Sequence, residues 1–327
     1  MTVSTVEYAE PPRLGRLYRS AMVSAARRGR PARDEVPLAE LVLRHAGVDR
    51  DRLAAYDRVC GFRLGDTLPA TYPHVLAFPL ALALMTRPDF PLPLVGLVHV
   101  ANRITVARPL GADERLDLRV RAGDLRPHER GRQVDVLAEA SVDGTVVWTD
   151  RSTYLHREKR PAAGDGAAAL PDAASGPDAA PGPDAAPGPD AAARPDAAPG
   201  PDAAPRPDAR AGAEPPRPTA RWHVDREVGR AYADASGDRN PIHTSRAGAR
   251  LFGFPRTIAH GMWTKARCLA ALEGRLPDAY TVDVAFKLPL LLPATVAFSA
   301  RRYGTGGWRL AVHDARSGRP HLTGTLA

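Results

Sequence analysis

Two ionisable side chains five positions apart, Asp238 and His243, bracket a tight turn in the stretch Ser236-Gly237-Asp238-Arg239-Asn240-Pro241-Ile242-His243. Gly237 is suited to end a preceding helix in the left-handed conformation. Asn240-Pro241 is a turn signal that keeps Asn240 out of helical geometry. A carboxylate and a neutral imidazole that reach one water can take and return its protons near neutral pH. Taken by itself, a D-x-x-x-x-H string reads more simply as an aspartate capping a turn and a histidine at the surface. A second feature lies downstream, Ala259-His260-Gly261-Met262, at the start of an apolar helix. Backbone N–H groups at such a start lack helical partners and carry the positive end of the helix dipole. Gly261 would let a ligand carbonyl approach closely, although an ordinary helix start with glycine near its cap has the same pattern. Asp238, His243 and His260 could also be read as metal ligands. Their spacing is not the i, i+4 helical pair of zinc proteases and no cysteine is near, so no metal is expected. There is no phosphate-binding Gly-rich loop and no G-x-S-x-G, and no cofactor is expected.

These residues need elements to hold them. Trp222–Val224 reads as a short strand, Arg226–Ser236 as a helix, and Met262–Gly274 as a helix closed by glycine. Tyr280–Leu288, Ala294–Arg302, Trp308–Asp314 and His321–Ala327 read as strands. The first part of the chain has the same order of signals. It runs through a strand-like Val36–Leu43, a helix Arg50–Cys60 and an apolar helix over Pro79–Met85 with Pro79 at its first position. Strand patterns follow at Val95–Val106, Leu116–Arg121, Gln133–Ala140 and Val146–Leu155. Tyr56 pairs with Tyr232, Pro73-His74 with Ala259-His260, and Arg108-Pro109-Leu110 with Leu288-Pro289-Leu290. On that pairing, 18 positions separate Tyr56 from His74 and 28 separate Tyr232 from His260. The second part therefore carries an insertion of about ten residues before its central helix, where function tends to sit. One helix followed by about four strands, used twice, suggests an α+β fold with an antiparallel sheet wrapped on a central helix, the alternatives being a decorated β-sandwich or an unrelated α+β pair.

The rest of the composition sets limits. The 327 residues carry a formal charge of +8, mostly from scattered arginines, densest at Arg27, Arg28, Arg30 and Arg33. No nucleic-acid module accompanies them, so no nucleic-acid partner is expected. Cys60 and Cys268 read as buried thiols in a reducing cytoplasm. The N-terminus has no signal-peptide core, and the apolar run Val75–Met85 is short of the ~20 residues a bilayer needs. The basic amphipathic stretch Leu14–Arg30 is read as a helix packed on the body rather than a membrane-surface helix. Residues 161–220 carry aspartate at every sixth position from Asp172 to Asp208, each preceded by proline. With almost no large apolar side chain, this segment is expected to be a disordered spacer.

Taken together, YADASGDRNPIH, the HGM that follows sixteen residues later, and Val284-Ala285-Phe286-Lys287-Leu288-Pro289 resemble the MaoC-like family of (R)-specific enoyl-thioester hydratases and dehydratases. The resemblance covers about 222–327 throughout. The N-terminal part is similar to the degenerate first half of double-hotdog members. It implies a tandem hotdog fold: an N-terminal helical extension (1–35), a degenerate hotdog (36–160), the linker (161–220) and a catalytic hotdog (221–327). It implies that Asp238 and His243 are the catalytic pair and that the Gly261 N–H binds the thioester oxygen. Asn240, which orients the loop, His260 and Met262 are then substrate-binding. One active site per chain is implied, with the first half shaping the acyl cavity. The expected reaction is reversible hydration of trans-2-enoyl thioesters of coenzyme A or acyl-carrier protein to (R)-3-hydroxyacyl thioesters in fatty-acid metabolism, by a cytoplasmic monomer or homodimer. Arg246, Arg250, Lys265 and Lys287 are candidates to meet the carrier's phosphates or acidic surface. A non-catalytic acyl-thioester-binding subunit and a hotdog thioesterase are the alternatives.

Overall fold

A computed structural model describes residues 4–26, 35–158, 216–304 and 306–327. The expected linker and the arginine cluster at 27–33 lie outside the described residues.

The chain runs β1 (Ser4–Tyr8), α1 (Leu14–Ala26), β2 (Ala39–Ala46), α2 (Arg50–Cys60), α3 (Tyr72–Met85), β3 (Leu97–Val106), β4 (Leu116–His128), β5 (Gly131–Val142) and β6 (Thr145–Arg157). After the linker come β7 (Ala220–Val224), α4 (Val228–Ser236), α5 (Pro241–Thr244), α6 (Arg246–Leu251), α7 (Gly261–Ala270), β8 (Tyr280–Phe286), β9 (Ala294–Tyr303), β10 (Gly307–Asp314) and β11 (Pro320–Leu326). One sheet holds all eleven strands in the order β1-β2-β4-β5-β6-β3-β8-β11-β10-β9-β7. The five strands β2-β4-β5-β6-β3 are repeated, in reverse, by β8-β11-β10-β9-β7. The two halves meet at the antiparallel pair β3–β8, where Arg103 faces Asp283, Ala101 faces Ala285 and Thr105 faces Thr281. This is the tandem hotdog arrangement that the repeated pattern implies.

The central helices are buried for different reasons. α3 is apolar on every side, which suits a helix enclosed by sheet. Pro79 lies inside it rather than at its first position, because the helix begins about two turns earlier, at Tyr72, with Pro73 in the first turn. α7 buries Met262, Trp263, Ala266, Cys268 and Leu269, and Lys265 with them. β1 was not anticipated. It is a short strand that pairs parallel to β2, so the N-terminal stretch is a strand followed by a helix.

The structure also re-registers the two halves. Leu68 N–H donates to Leu110 O at 2.8 Å, and Ala259 N–H donates to Leu290 O at 2.9 Å. Matching bridges join Thr67 to Gly111 and Ile258 to Leu291. The spatial counterpart of His260 is therefore Pro69, and that of Lys265 is His74. The Pro73-His74 landmark was a coincidence of sequence. Tyr56 to Pro69 spans 13 positions against the 28 from Tyr232 to His260, so the insertion is fifteen residues, not ten. It contains α5 and α6.

His74 and Lys265 both reach the seam between the halves. Lys265 is wholly buried and does not meet a carrier's phosphates, contrary to the sequence-based expectation. Its ammonium donates to Asn102 O at 3.2 Å, Val282 O at 3.1 Å and the Asn102 side-chain oxygen. Burial pushes its pKa down to about 7, against the pull of Asp150. Asp150 accepts from His74 Nδ1 at 2.6 Å, from the Asn102 amide at 2.7 Å and from Ser152 at 3.0 Å. Lys265→Met would remove the ammonium from three acceptors in a buried seam. We expect it to lower unfolding free energy by about 1–3 kcal/mol, read from the urea midpoint of the full chain. An unchanged midpoint would mean that Lys265 contributes nothing to the seam.

Candidate active site

The insertion is built as a series of short, capped turns. α4 ends at Gly237, whose φ of +83° demands glycine and whose N–H donates to Ala233 O at 2.8 Å. The end of α4 is gripped from the other half: Arg52 of α2 donates to Ala235 O at 2.7 Å and to Ser236 O at 2.8 Å. Asp238 follows, with its backbone N–H on Ser236 Oγ. Asn240 then caps α5 by accepting from Ile242 N–H, and Pro241 takes the first helical position. This delivers His243 one turn later, buried.

The hydrogen bonds assign proton roles. Asp238 Oδ1 accepts from the Tyr18 hydroxyl at 2.9 Å and from Asn240 N–H at 3.2 Å. His243 Nδ1 lies 2.8 Å from Ile258 O, so Nδ1 carries the proton and Nε2 keeps a lone pair. His260 Nε2 lies 2.9 Å from Asp238 O and is likewise a donor. The His243 and His260 rings stack with centroids 3.6 Å apart, and Tyr232 closes the far side of His260 at 4.7 Å. Polar atoms of Asp238, His243 and His260 all lie within 4.8 Å of one another.

Burial sets the protonation states. It pushes His243 below its ordinary value despite Asp238 and the Ile258 carbonyl, and it pushes His260 down to about 3 with His243 adding to the effect. Both rings are neutral at pH 7. Burial alone would raise Asp238, but His260, His243, the Tyr18 hydroxyl and the Asn240 N–H together hold it below the usual carboxylate range. An ionised carboxylate thus sits beside a neutral imidazole, the pairing that proton transfer to and from water requires.

Gly261 opens α7, with His260 as the extended residue before it. The first amides of this helix have no intrahelical acceptor. A Cβ at Gly261 would come to 3.0 Å from the Phe286 ring, so any other residue here would push that ring back from the helix start by a few tenths of an ångström. Phe286 meets His99 edge-on at 5.0 Å, and His99 stacks on Tyr154 at 4.7 Å. His99 and Tyr154 belong to β3 and β6, so the first half supplies one wall of the site. His99 Nε2 is buried with no hydrogen-bond partner. Burial, with His74 adding, pushes its pKa down to about 3.

The comparisons with known proteins agree with this geometry. Residues 202–323 match the MaoC like domain. The chain is 34% identical over 296 residues to 3-hydroxyacyl-thioester dehydratase X of Mycobacterium tuberculosis, covering 90% of this chain and 91% of that protein. The chain belongs to the MaoC-like dehydratase family. A crystal structure of M. tuberculosis HtdX superposes with a TM-score of 0.67 at 34% identity, over 88% of this chain and 98% of that one. A MaoC-like dehydratase from Phytophthora capsici has the same fold, with a TM-score of 0.62 at 16% identity over 88% and 95% of the two chains. A 65-residue stretch is 37% identical to 3-hydroxybutyryl-CoA dehydratase of Methylorubrum extorquens, covering 20% of this chain and 41% of that protein.

Within this MaoC-like frame, Asp238, His243 and His260 lie together, and Gly261 follows His260 as the first residue of α7. Met262 faces the core, and Asn240 uses its side chain on the α5 cap. Arg246, Arg250 and Lys287 are exposed. Tyr18, His99 and Tyr154 were missed, since each lies far from the motif in sequence. The amphipathic pattern of 14–26 marked a helix packed on the body but not which residues it would approach. Among the described residues no helix is long and apolar enough to cross a membrane.

Proposed function

We propose that the chain hydrates trans-2-enoyl thioesters reversibly to (R)-3-hydroxyacyl thioesters, with Asp238 and His243 as its acid–base pair. The observation that carries this reading is the separation of their proton-accepting atoms. A carboxylate oxygen of Asp238 and a ring nitrogen of His243 lie within 4.8 Å of each other, a span that one water ~2.8 Å from each would bridge. The thioester oxygen is placed at the Gly261 N–H, where the helix start stabilises charge that develops as water adds to C3. His243 Nε2 takes the water proton, the Ile258 carbonyl holding its ring in the right tautomer. The proton returned to C2 completes hydration, and dehydration is the reverse. The likeness to a 3-hydroxyacyl-thioester dehydratase of M. tuberculosis and a 3-hydroxybutyryl-CoA dehydratase of M. extorquens supports the reaction class. On this reading the second hotdog carries the chemistry and the first hotdog lines the acyl cavity. The exposed Arg246, Arg250 and Lys287 are the groups that would meet a coenzyme A phosphate or an acidic carrier protein. The pair of hotdogs that a dimer would otherwise supply lies within one chain, and the two buried free cysteines fit a reducing cytoplasm.

The test compares crotonyl and longer enoyl groups on coenzyme A and on acyl-carrier protein. Loss of the conjugated-enoyl absorbance without release of free thiol is the expected result. Thiol release would make the chain a thioesterase, and tight binding without turnover on either carrier would make it a non-catalytic subunit.

A further inference from the structure

Asp238 is held by a residue 220 positions away in sequence. Tyr18, on α1, donates its hydroxyl proton to Asp238 Oδ1 at 2.9 Å. The helix that carries it is seated on the same turn: Leu14 lies so close to Gly237 that a Cβ there would meet its Cδ1 at 2.6 Å, and Leu17 packs against the core. Asp238 Oδ1 thereby has two donors, Tyr18 O–H and Asn240 N–H, which together leave it little capacity for a proton. Oδ2 is the oxygen that remains for water, with His260 Nε2 at 3.8 Å.

We propose that Tyr18 is a positioning residue for the reaction: its hydroxyl fixes the Asp238 carboxylate so that Oδ2, not Oδ1, faces the water whose proton His243 takes, and α1 is part of the active site. This inference rests on the hydratase reading above and adds to it a residue from the N-terminal extension. Burial and the neighbouring Asp238 charge push the Tyr18 phenol far up, so it stays a donor at every working pH. The groups that face Asp238 are Tyr18 from α1, Tyr232 from α4, His243 from α5 and His260 ahead of α7; His99 of β3 and Tyr154 of β6 also feel its charge. Of these, Tyr18 is the side chain that hydrogen-bonds the carboxylate directly. Its hydrogen bond holds the acid down, so its loss raises the pH at which Asp238 protonates.

The experiment uses the full chain with Tyr18→Phe, Leu17→Ala and Asp238→Asn. Tyr18→Phe is expected to lower kcat about 10- to 100-fold, to leave KM within about threefold, and to move the acid limb of the kcat profile to higher pH. The carboxyl carbon-13 resonance of Asp238 should titrate at higher pH in the same variant without substrate. Leu17→Ala, which loosens the same helix, should lower the melting temperature without moving the acid limb. A fluorinated tyrosine at position 18 keeps the packing and strengthens the donor; it should move the acid limb the other way, and it decides the matter if Tyr18→Phe does not fold. Wild-type kcat and an unmoved Asp238 titration in Tyr18→Phe would overturn the proposal. So would a gain of activity, which would mean that Tyr18 blocks the water's place. If Asp238→Asn itself keeps full activity, the hydratase reading fails, while the carbon-13 titration still reports whether Tyr18 holds the carboxylate.

Discussion

Asp238→Asn abolishes most turnover: kcat falls ~10²–10⁴-fold while the melting curve and the circular dichroism stay close to wild type. The substitution keeps the shape of the side chain. An asparagine oxygen can still accept from Tyr18 and from Asn240 N–H, the two bonds that seat Asp238 Oδ1. What is lost is the second oxygen, which becomes an amide that cannot take a proton. The loss belongs in kcat more than in KM, because the helix start and the cavity walls still bind the thioester. Steady-state kinetics on one enoyl thioester check this, and a kcat within threefold of wild type would remove Asp238 from the mechanism.

The second large effect is at His243. His243→Gln is expected to lose ~10²–10⁴-fold in kcat, because glutamine can donate to the Ile258 carbonyl but offers no basic nitrogen to water. His243→Ala loses the same activity and also about 1–3 kcal/mol of stability, since it orphans that buried carbonyl. The pH profile follows from the same burial. His243 is held below its ordinary value, so its neutral form persists as pH falls through 6.5. The rate should be level from about pH 6.5 to 8, and the acid limb should lie below 6.5. The limb reports the coupled titration of Asp238 and His243, and one centred at or above 6.5 would mean that this pair is not buried as the structure places it. His99 and His260, each pushed down to about 3, bind fewer protons folded than unfolded. Stability is present above ~6.5 and is lost progressively as pH falls below it, so the acid limb must be read where the fold is intact.

Local chemistry was legible in the sequence because it is encoded locally. Gly237, Asn240-Pro241 and the spacing of Asp238 and His243 mark a turn within eight residues. α2 matches its expected span, since Asp49 caps it and Gly61 ends it. What was not legible depends on partners distant in the chain. Lys265 looked like a surface lysine because only the seam supplies its three acceptors, from β3 and β8. The landmark at His74 misled because an X-His pair recurs near both central helices, whereas the true register is set by the Leu68 and Ala259 hydrogen bonds. β1 is five residues long and pairs parallel to β2, on the far side of α1 in the chain, so no hairpin signal announces it. Tyr18 carries no motif at all; only the packing of α1 on the Gly237 turn brings it to Asp238.

The central claim is that this site adds water to an enoyl thioester with one stereochemical outcome. The direct measurement incubates purified full chain with trans-2-enoyl-CoA, follows the conjugated-enoyl absorbance, and resolves the configuration of the 3-hydroxyacyl product. The account predicts loss of absorbance, an (R)-3-hydroxyacyl thioester, and neither in Asp238→Asn. An (S) product, or hydration that persists undiminished without the Asp238 carboxylate, would contradict it.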